Sequence, residues 1–184
     1  MPISQFARWR RAIVDIYLPG DVIGLDAALR IRPLEEVMAL TSLTIETINT
    51  ANALSELMAC RPTALYIAWL LGQRQRRADR FLAAISCLDA RERLAMMVLD
   101  LYTRLRRRKL IASSIYNLPL TQIQIGSYLG LTVAHVNRVL RSLRDERIVN
   151  LEKHCVTILN LERLMSLAQS RGIVASISGT AHSP

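Results

Sequence analysis

The segment Thr121-Gln-Ile-Gln-Ile-Gly-Ser-Tyr-Leu-Gly-Leu-Thr-Val-Ala-His-Val-Asn-Arg-Val-Leu-Arg leaves this chain little choice, because each local signal in it asks for two short helices joined by a sharp turn. Thr121 and Gln124 have the S/T-x-x-Q spacing of a capping box, in which two side chains satisfy amides that a helix start leaves bare. Ile125 and Leu129 form an i, i+4 apolar pair. Gly130 falls where the first helix must stop, a place that suits a residue free to take positive φ. Thr132 can cap a second helix, in which Val136, Val139, Leu140 and Leu143 recur at i, i+3, i+4 and i+7. The opposite face of that helix carries Ala134, Asn137, Arg138 and Arg141. A helix that packs by one face and offers small, amide and guanidinium groups on the other fits the major groove of DNA. The competing reading is a plain helical hairpin with a solvated basic face. Agreement of cap, turn, stripe and basic face in one register weighs against it.

Charge is distributed to match. Of the net +9, residues 1–60 carry 5 Lys or Arg against 7 Asp or Glu, residues 61–120 carry 12 against 4, and residues 121–184 carry 7 against 4. Arg74, Arg76, Arg77 and Arg80 form one basic cluster, and Arg104, Arg106, Arg107, Arg108 and Lys109 another. Such runs are ordinarily solvated helix faces, but beside a helix-turn-helix they suit a polyanion, since each neutralised phosphate releases counterions. Cys60, Cys87 and Cys155 show no C-x-x-C pairing, so neither zinc nor a disulfide framework is expected; free, buried thiols in a reducing cytoplasm are. No cofactor is implied, and no catalytic constellation or phosphate loop emerges, so an enzyme is not expected. The longest apolar run, Ala64 to Leu71, is much shorter than the ~20 residues of a membrane span, and the N-terminus shows no secretory leader. A cytoplasmic location follows.

Along the rest of the chain, Ala12–Leu18 alternates like a strand and Pro19-Gly20-Asp21 reads as a turn. Val37 to Ile48 is a second strand-like run, and Asn52 to Met58 a short helix. Thr63 to Leu88 reads as one long helix. In it Ile67, Leu71, Ala78, Phe81, Ile85 and Leu88 follow alternating 4-and-3 spacing, with Arg74 in the missing place. That 3.5-residue repeat favours a seam between two helices, a single amphipathic core helix being the alternative. Asp89, with Glu92 three residues on, should cap a further helix from Ala90 to about Arg107, buried along Leu94, Met97, Leu101 and Leu105. Leu110 to Asn117 reads as a connector. Ile148–Leu151 and Val156–Leu159 bracket Glu152-Lys153-His154 as a short hairpin, and Asn160 should cap a last helix ending near Ala168.

The segment from Leu118 onward resembles the C-terminal domain of the Crp/Fnr superfamily of bacterial transcription regulators. The matching residues are Leu118-Pro119-Leu120-Thr121-Gln122, Tyr128-Leu129-Gly130-Leu131-Thr132 and His135-Val136-Asn137-Arg138, then Leu143-Arg144 and Ile148-Val149. The resemblance extends upstream to Tyr17-Leu18-Pro19-Gly20-Asp21-Val22-Ile23-Gly24, typical of the family's sensory roll, and spans about Ile13 to Leu167. It implies an α+β fold. A partial cyclic-nucleotide-binding-like β-roll would occupy 1–60 and a dimerisation helix 61–88, with a winged helix-turn-helix over 89–168 and a disordered tail over 169–184. It also implies a sequence-specific DNA-binding transcription regulator, a homodimer on a pseudo-palindromic operator, with double-stranded DNA and RNA polymerase as partners. The matching positions put Ala134, Asn137 and Arg138 at base edges and His135 and Arg141 near the backbone, with Thr121 and Thr132 completing the DNA-contact set. Ala134 stands where many members have Glu, which leaves the exact site sequence open. The dimer interface would use Ile67, Leu71, Ala78, Phe81 and Ile85.

The resemblance is incomplete at the front. The family's roll has roughly eight strands, and the strands that should pair with Ala12–Leu18 have no sequence to supply them. An open roll is an aggregation hazard, so either the roll is remodelled or the chain starts downstream of the true start. Family sensors of cyclic nucleotides use a Gly-Glu-Leu segment and an Arg for the phosphate. Gly24-Leu25-Asp26 lacks the Glu, and Pro33-Leu34-Glu35-Glu36 sets carboxylates where the Arg is wanted, so cyclic-nucleotide binding is not expected. The competing functional reading is a protein–protein interaction module that has lost DNA binding.

Overall fold

A computed structural model describes residues 12–25, 36–47 and 59–169. The chain divides into two compact units. Among the described residues one unit holds 12–16 and 79–169, and the other holds 17–25, 36–47 and 59–78. The element order is α1 (Arg61–Cys87), α2 (Ala90–Arg107), β1 (Ile115–Asn117), α3 (Gln122–Leu129), α4 (Val133–Asp145), β2 (Val149–Glu152), β3 (Cys155–Ile158) and α5 (Leu161–Gln169).

The second half of the chain is built around α2. Asp89 accepts hydrogen bonds from the Arg91 and Glu92 amides while the Glu92 carboxylate takes the Asp89 amide, completing the expected capping box. Leu94, Met97 and Leu101 are buried as their spacing requires, and Ala95, Val98, Leu99 and Tyr102 join them. Leu105 is only half-buried. The buried face is wider than a single stripe because α3, α4 and α5 all pack against α2.

The sheet has the order β1-β3-β2, antiparallel throughout. The β2–β3 hairpin turns on Lys153 and His154, whose φ values of 48° and 65° match a two-residue primed turn that follows the strand twist. The connector expected over Leu110 to Asn117 contains a strand instead. Ile115–Asn117 pairs with β3, with Tyr116 opposite Val156 and its hydroxyl donating to the Val98 carbonyl at 3.0 Å. Burial and the charge of Asp100 push the Tyr116 phenol far above its ordinary range. Asn160 caps α5 by accepting from the Arg163 amide at 2.9 Å.

The first half departs from expectation. No strand forms among residues 12–25 or 36–47, so neither Ala12–Leu18 nor the described part of Val37 to Ile48 is part of a roll here. A strand exists only by pairing, and no described segment lies alongside to pair with. Residues 12–16 instead make main-chain bonds to helix side chains: the Ile13 amide donates to Ser127 Oγ at 3.3 Å, and Arg104 donates to the Ile16 carbonyl at 2.8 Å. The turn is present as read, with Gly20 at φ 86° and the Asp21 amide bonded to the Leu18 carbonyl at 2.9 Å. Residues 36–47 are all exposed. The expected helix at Asn52 to Met58, the Asp26 to Glu35 part of the nucleotide-site comparison, and 170–184 of the expected tail lie outside the described residues.

The long helix runs Arg61–Cys87, starting two residues and ending one residue earlier than Thr63 to Leu88, with Pro62 tolerated in its first turn. All three cysteines are exposed, which corrects the expectation of buried thiols. Cys87 ends α1, Cys60 immediately precedes it, and Cys155 faces outward on β3, opposite exposed Asn117 and Glu152. Among the described residues no helix is long and apolar enough to cross a membrane. Nor does any group of three or more His, Cys, Asp or Glu side chains among them converge to hold a metal.

Candidate nucleic-acid interface

Helices α3 and α4 form the expected pair, and local chemistry fixes each end. The Thr121 hydroxyl accepts from the Gln124 amide at 3.2 Å while the Gln124 amide oxygen accepts from the Thr121 amide at 2.8 Å. Gly130 ends α3 at φ 68°, ψ 34°, in the left-handed region. The Thr132 hydroxyl then opens α4 by accepting from the His135 amide at 3.3 Å. Gly126 is required for closeness: a Cβ there would lie 2.6 Å from the Leu131 carbonyl oxygen, and the Leu131 amide bonds back to Gly126 O at 2.8 Å.

The inner face of α4 buries Val136, Val139 and Leu143, with Leu140 half-buried. Its outer face bounds an open groove of about 700 Å³ lined by Ala134, Asn137, Arg138, Arg141, Ser142, Asp145 and Glu146. The structure therefore brings together four of the residues singled out for DNA: Ala134, Asn137, Arg138 and Arg141. Arg138 and Arg141 are exposed and have no ion-pair partner among the described residues. His135 is exposed on the first turn of α4 but outside the groove lining. Thr121 and Thr132 are exposed, with their hydroxyl oxygens occupied as caps. Arginines held on a helix face with their donors open can read guanine edges or bind phosphate.

Two arrangements were not foreseen. Arg93 donates to three main-chain carbonyls: Ile85 and Leu88 at 2.9 Å each, and Leu129 at 3.2 Å. Helix C-termini leave such carbonyls without intrahelical partners, and a cation is favoured there by the helix dipole. One side chain thus ties the end of α1 to the turn ahead of α4. The second arrangement centres on Glu146, which lies at the end of α4. Its carboxylate takes hydrogen bonds from Arg91 of α2, from Arg163 of α5 at 3.1 Å and from Ser142 at 3.1 Å. The Arg91 hydrogen bond, followed by Ser142 and the charges of Arg91 and Arg163, holds this carboxyl below its ordinary range despite partial desolvation. Nothing in the run Arg144-Asp145-Glu146-Arg147 separates Glu146 from a solvated charge, because its two arginines come from distant helices.

The residues expected at a seam on α1 are spread unevenly. Ile67 and Leu71 are half-buried, Ala78 and Ile85 exposed. Phe81 is already engaged within the chain, its ring centroid 4.9 Å from that of Tyr128 on α3.

A sequence profile described as a Crp-like helix-turn-helix domain matches residues 92–167. The chain is 30% identical over 158 residues to the fumarate and nitrate reduction regulatory protein of Vibrio cholerae, covering 85% of this chain and 62% of that protein. It is 27% identical over 157 residues to the anaerobic regulatory protein of Aggregatibacter actinomycetemcomitans, covering 85% of this chain and 60% of that one. The chain therefore spans about three-fifths of the length of these relatives. Among solved structures, FixK2 from Bradyrhizobium japonicum shares the fold with a TM-score of 0.57 at 23% identity, over 65% of this chain and 59% of that one.

Proposed function

We infer that this chain, which carries a Crp-like helix-turn-helix domain and is related to the Crp/Fnr regulators, is a sequence-specific DNA-binding regulator of transcription. One observation carries the reading most. The outer face of α4 presents Ala134, Asn137, Arg138 and Arg141 along one groove, with both arginines uncommitted among the described residues. A module that had lost DNA binding would have no need of that face. In this reading α4 enters the major groove, Arg138 reads the O6 and N7 of a guanine, and Ala134 and Asn137 lie against neighbouring bases. His135, Arg141 and the first turns opened by Thr121 and Thr132 lie along the phosphates. A basic helix at the DNA is steered there by charge, consistent with the arginine-rich second and third portions of the chain. RNA polymerase is the further partner that a regulator of transcription requires.

The working form is a homodimer. Its seam runs along α1 through Ile67, Leu71, Ala78 and Ile85, with Phe81 flanking it from its place on Tyr128. Two recognition helices related by a twofold axis prefer an inverted repeat with half-sites about one helical turn, ~10–11 base pairs, apart. The test is selection from a randomised duplex pool followed by a mobility shift. Enrichment of such a repeat is expected, and Arg138→Ala should cost about 1–3 kcal/mol while relaxing preference at one G·C pair per half-site. Equal loss on selected and scrambled DNA would make Arg138 a phosphate contact instead. Leu71→Glu with Ile85→Glu would place like charges in the seam, so light scattering should report monomer.

A further inference from the structure

Glu146 and its arginines are not accounted for by helix stability. Arg91 lies in the first turn of α2 and Arg163 in the first turn of α5, where the positive end of the helix dipole disfavours a cation. Glu146 ends α4, where the negative end disfavours an anion. Each charge stands at the wrong end of its own helix, and only their meeting satisfies all three. Glu146 Oε2 accepts from Nη2 of both arginines, Oε1 accepts from the Ser142 hydroxyl, and Arg163 Nη1 also donates to the Glu146 carbonyl at 3.0 Å. The carboxylate lines the same groove as Arg138 and Arg141. Two further guanidiniums are therefore held at the end of the base-reading face, both still partly exposed, at 32% and 55% of their side-chain surface.

Guanidiniums beside a DNA groove have an alternative partner in the phosphate backbone, and phosphate contacts add affinity without adding sequence information. We propose that Glu146 is a specificity-determining residue: its carboxylate keeps Arg91 and Arg163 off the phosphates and anchors the end of α4 between α2 and α5. Discrimination then rests on Ala134, Asn137 and Arg138 rather than on bulk charge. Glu146 acts through the two arginines and touches no base. The assignment builds on the DNA-binding reading given above.

The experiment compares the full wild-type chain with Glu146→Ala and Glu146→Gln by fluorescence anisotropy over a salt series. The probes are a duplex selected by the wild type from a randomised pool and a scrambled duplex of equal length. Both variants should bind the scrambled duplex about 3- to 10-fold more tightly, with a salt slope steeper by about 1 to 2 per bound chain, as expected for one or two new phosphate contacts from each copy. The ratio of selected to scrambled affinity should fall by about the same 3- to 10-fold, because α4, no longer anchored at its end, loses on the selected duplex what the sequence-blind phosphate contacts add there. Adding Arg91→Ala and Arg163→Ala to Glu146→Ala should return scrambled binding and slope to wild-type values, a rescue that a purely structural brace would not give. Glu146→Gln keeps the side-chain shape if the alanine variant fails to fold, as judged by thermal melting. If the variants weaken both duplexes equally at unchanged slope, Glu146 is only a brace and the proposal is overturned. If the wild type enriches no sequence at all, the DNA-binding reading falls and takes this assignment with it.

Discussion

Two consecutive helices of similar apolar character meet opposite fates. Helix α2, 18 residues long, buries Leu94, Ala95, Met97, Val98, Leu99, Leu101 and Tyr102. Helix α1 has 27 residues and buries only Ala84, while Leu65, Tyr66, Trp69 and Leu82 are more than half exposed. Composition does not separate them; available neighbours do. Three helices, α3, α4 and α5, pack against α2. Apolar surface left open on a helix this long fits one that completes its packing with a second copy, which is how the proposed dimer uses it.

The contrast breaks most visibly if the α2 core is not rigid. Leu94 is 0% exposed, so Leu94→Ala should cost about 2–5 kcal/mol by chemical denaturation, the spread depending on how far the cavity collapses. A cost below ~1 kcal/mol would mean that α2 is not close-packed. Gly126→Ala comes next. Its Cβ would lie 2.6 Å from a main-chain oxygen, which cannot swing away as a side chain can. Overpacking of this kind typically costs about 1–3 kcal/mol. The turn between α3 and α4 should shift as well, so DNA binding should weaken beyond what the stability loss explains.

Legibility in the sequence followed the range of the forces involved. Caps and turns act over a few residues, so Thr121 with Gln124, Gly130, Thr132, Asp89 with Glu92, and Asn160 could be read from their spacing, and each has the expected bonds. Strand Ile115–Asn117 could not be. Three residues hold no periodicity, and the strand exists only because β3, forty residues later in sequence, pairs with it. Ala12–Leu18 failed in the opposite way: it alternates as a strand should, but no described segment lies alongside it. Glu146 lay hidden because its partners are 55 and 17 residues away. The backbone at Arg147, Lys153 and His154 has positive φ without the Gly or Asn that would have announced it.

That last mismatch gives a smaller, stabilising prediction. Arg147 follows α4 at φ 54°, and its neighbour Ile148 bonds back to the Leu143 carbonyl at 2.9 Å, a left-handed helix stop usually given to glycine. Relief of the left-handed strain is worth roughly 1–2 kcal/mol, and glycine's extra chain entropy takes back about 0.5–1. Arg147→Gly should therefore raise stability by up to about 1 kcal/mol, read as a higher denaturation midpoint at unchanged slope. A lower midpoint would mean that the Arg147 side chain contributes more than its backbone costs.

The smallest effect should come from α1, and it tests the comparison directly. Leu65 and Leu82 are 62% and 67% exposed, so neither gains much from burial within one copy. In dilute solution Leu65→Ala and Leu82→Ala should each change stability by no more than about 0.5 kcal/mol. Association links stability to concentration, because a partner that binds only the folded chain stabilises it by mass action. The wild-type melting temperature should accordingly rise with protein concentration, and the Leu82→Ala chain should show a weaker rise if its side chain enters the seam. Melting that is independent of concentration, with both substitutions silent, would leave the open face of α1 without a second copy to cover it. The unequal burial of the two helices would then need another explanation. A loss of 2 kcal/mol or more from either substitution at low concentration would overturn the contrast from the other side, since the leucine would have to be packed within the single chain.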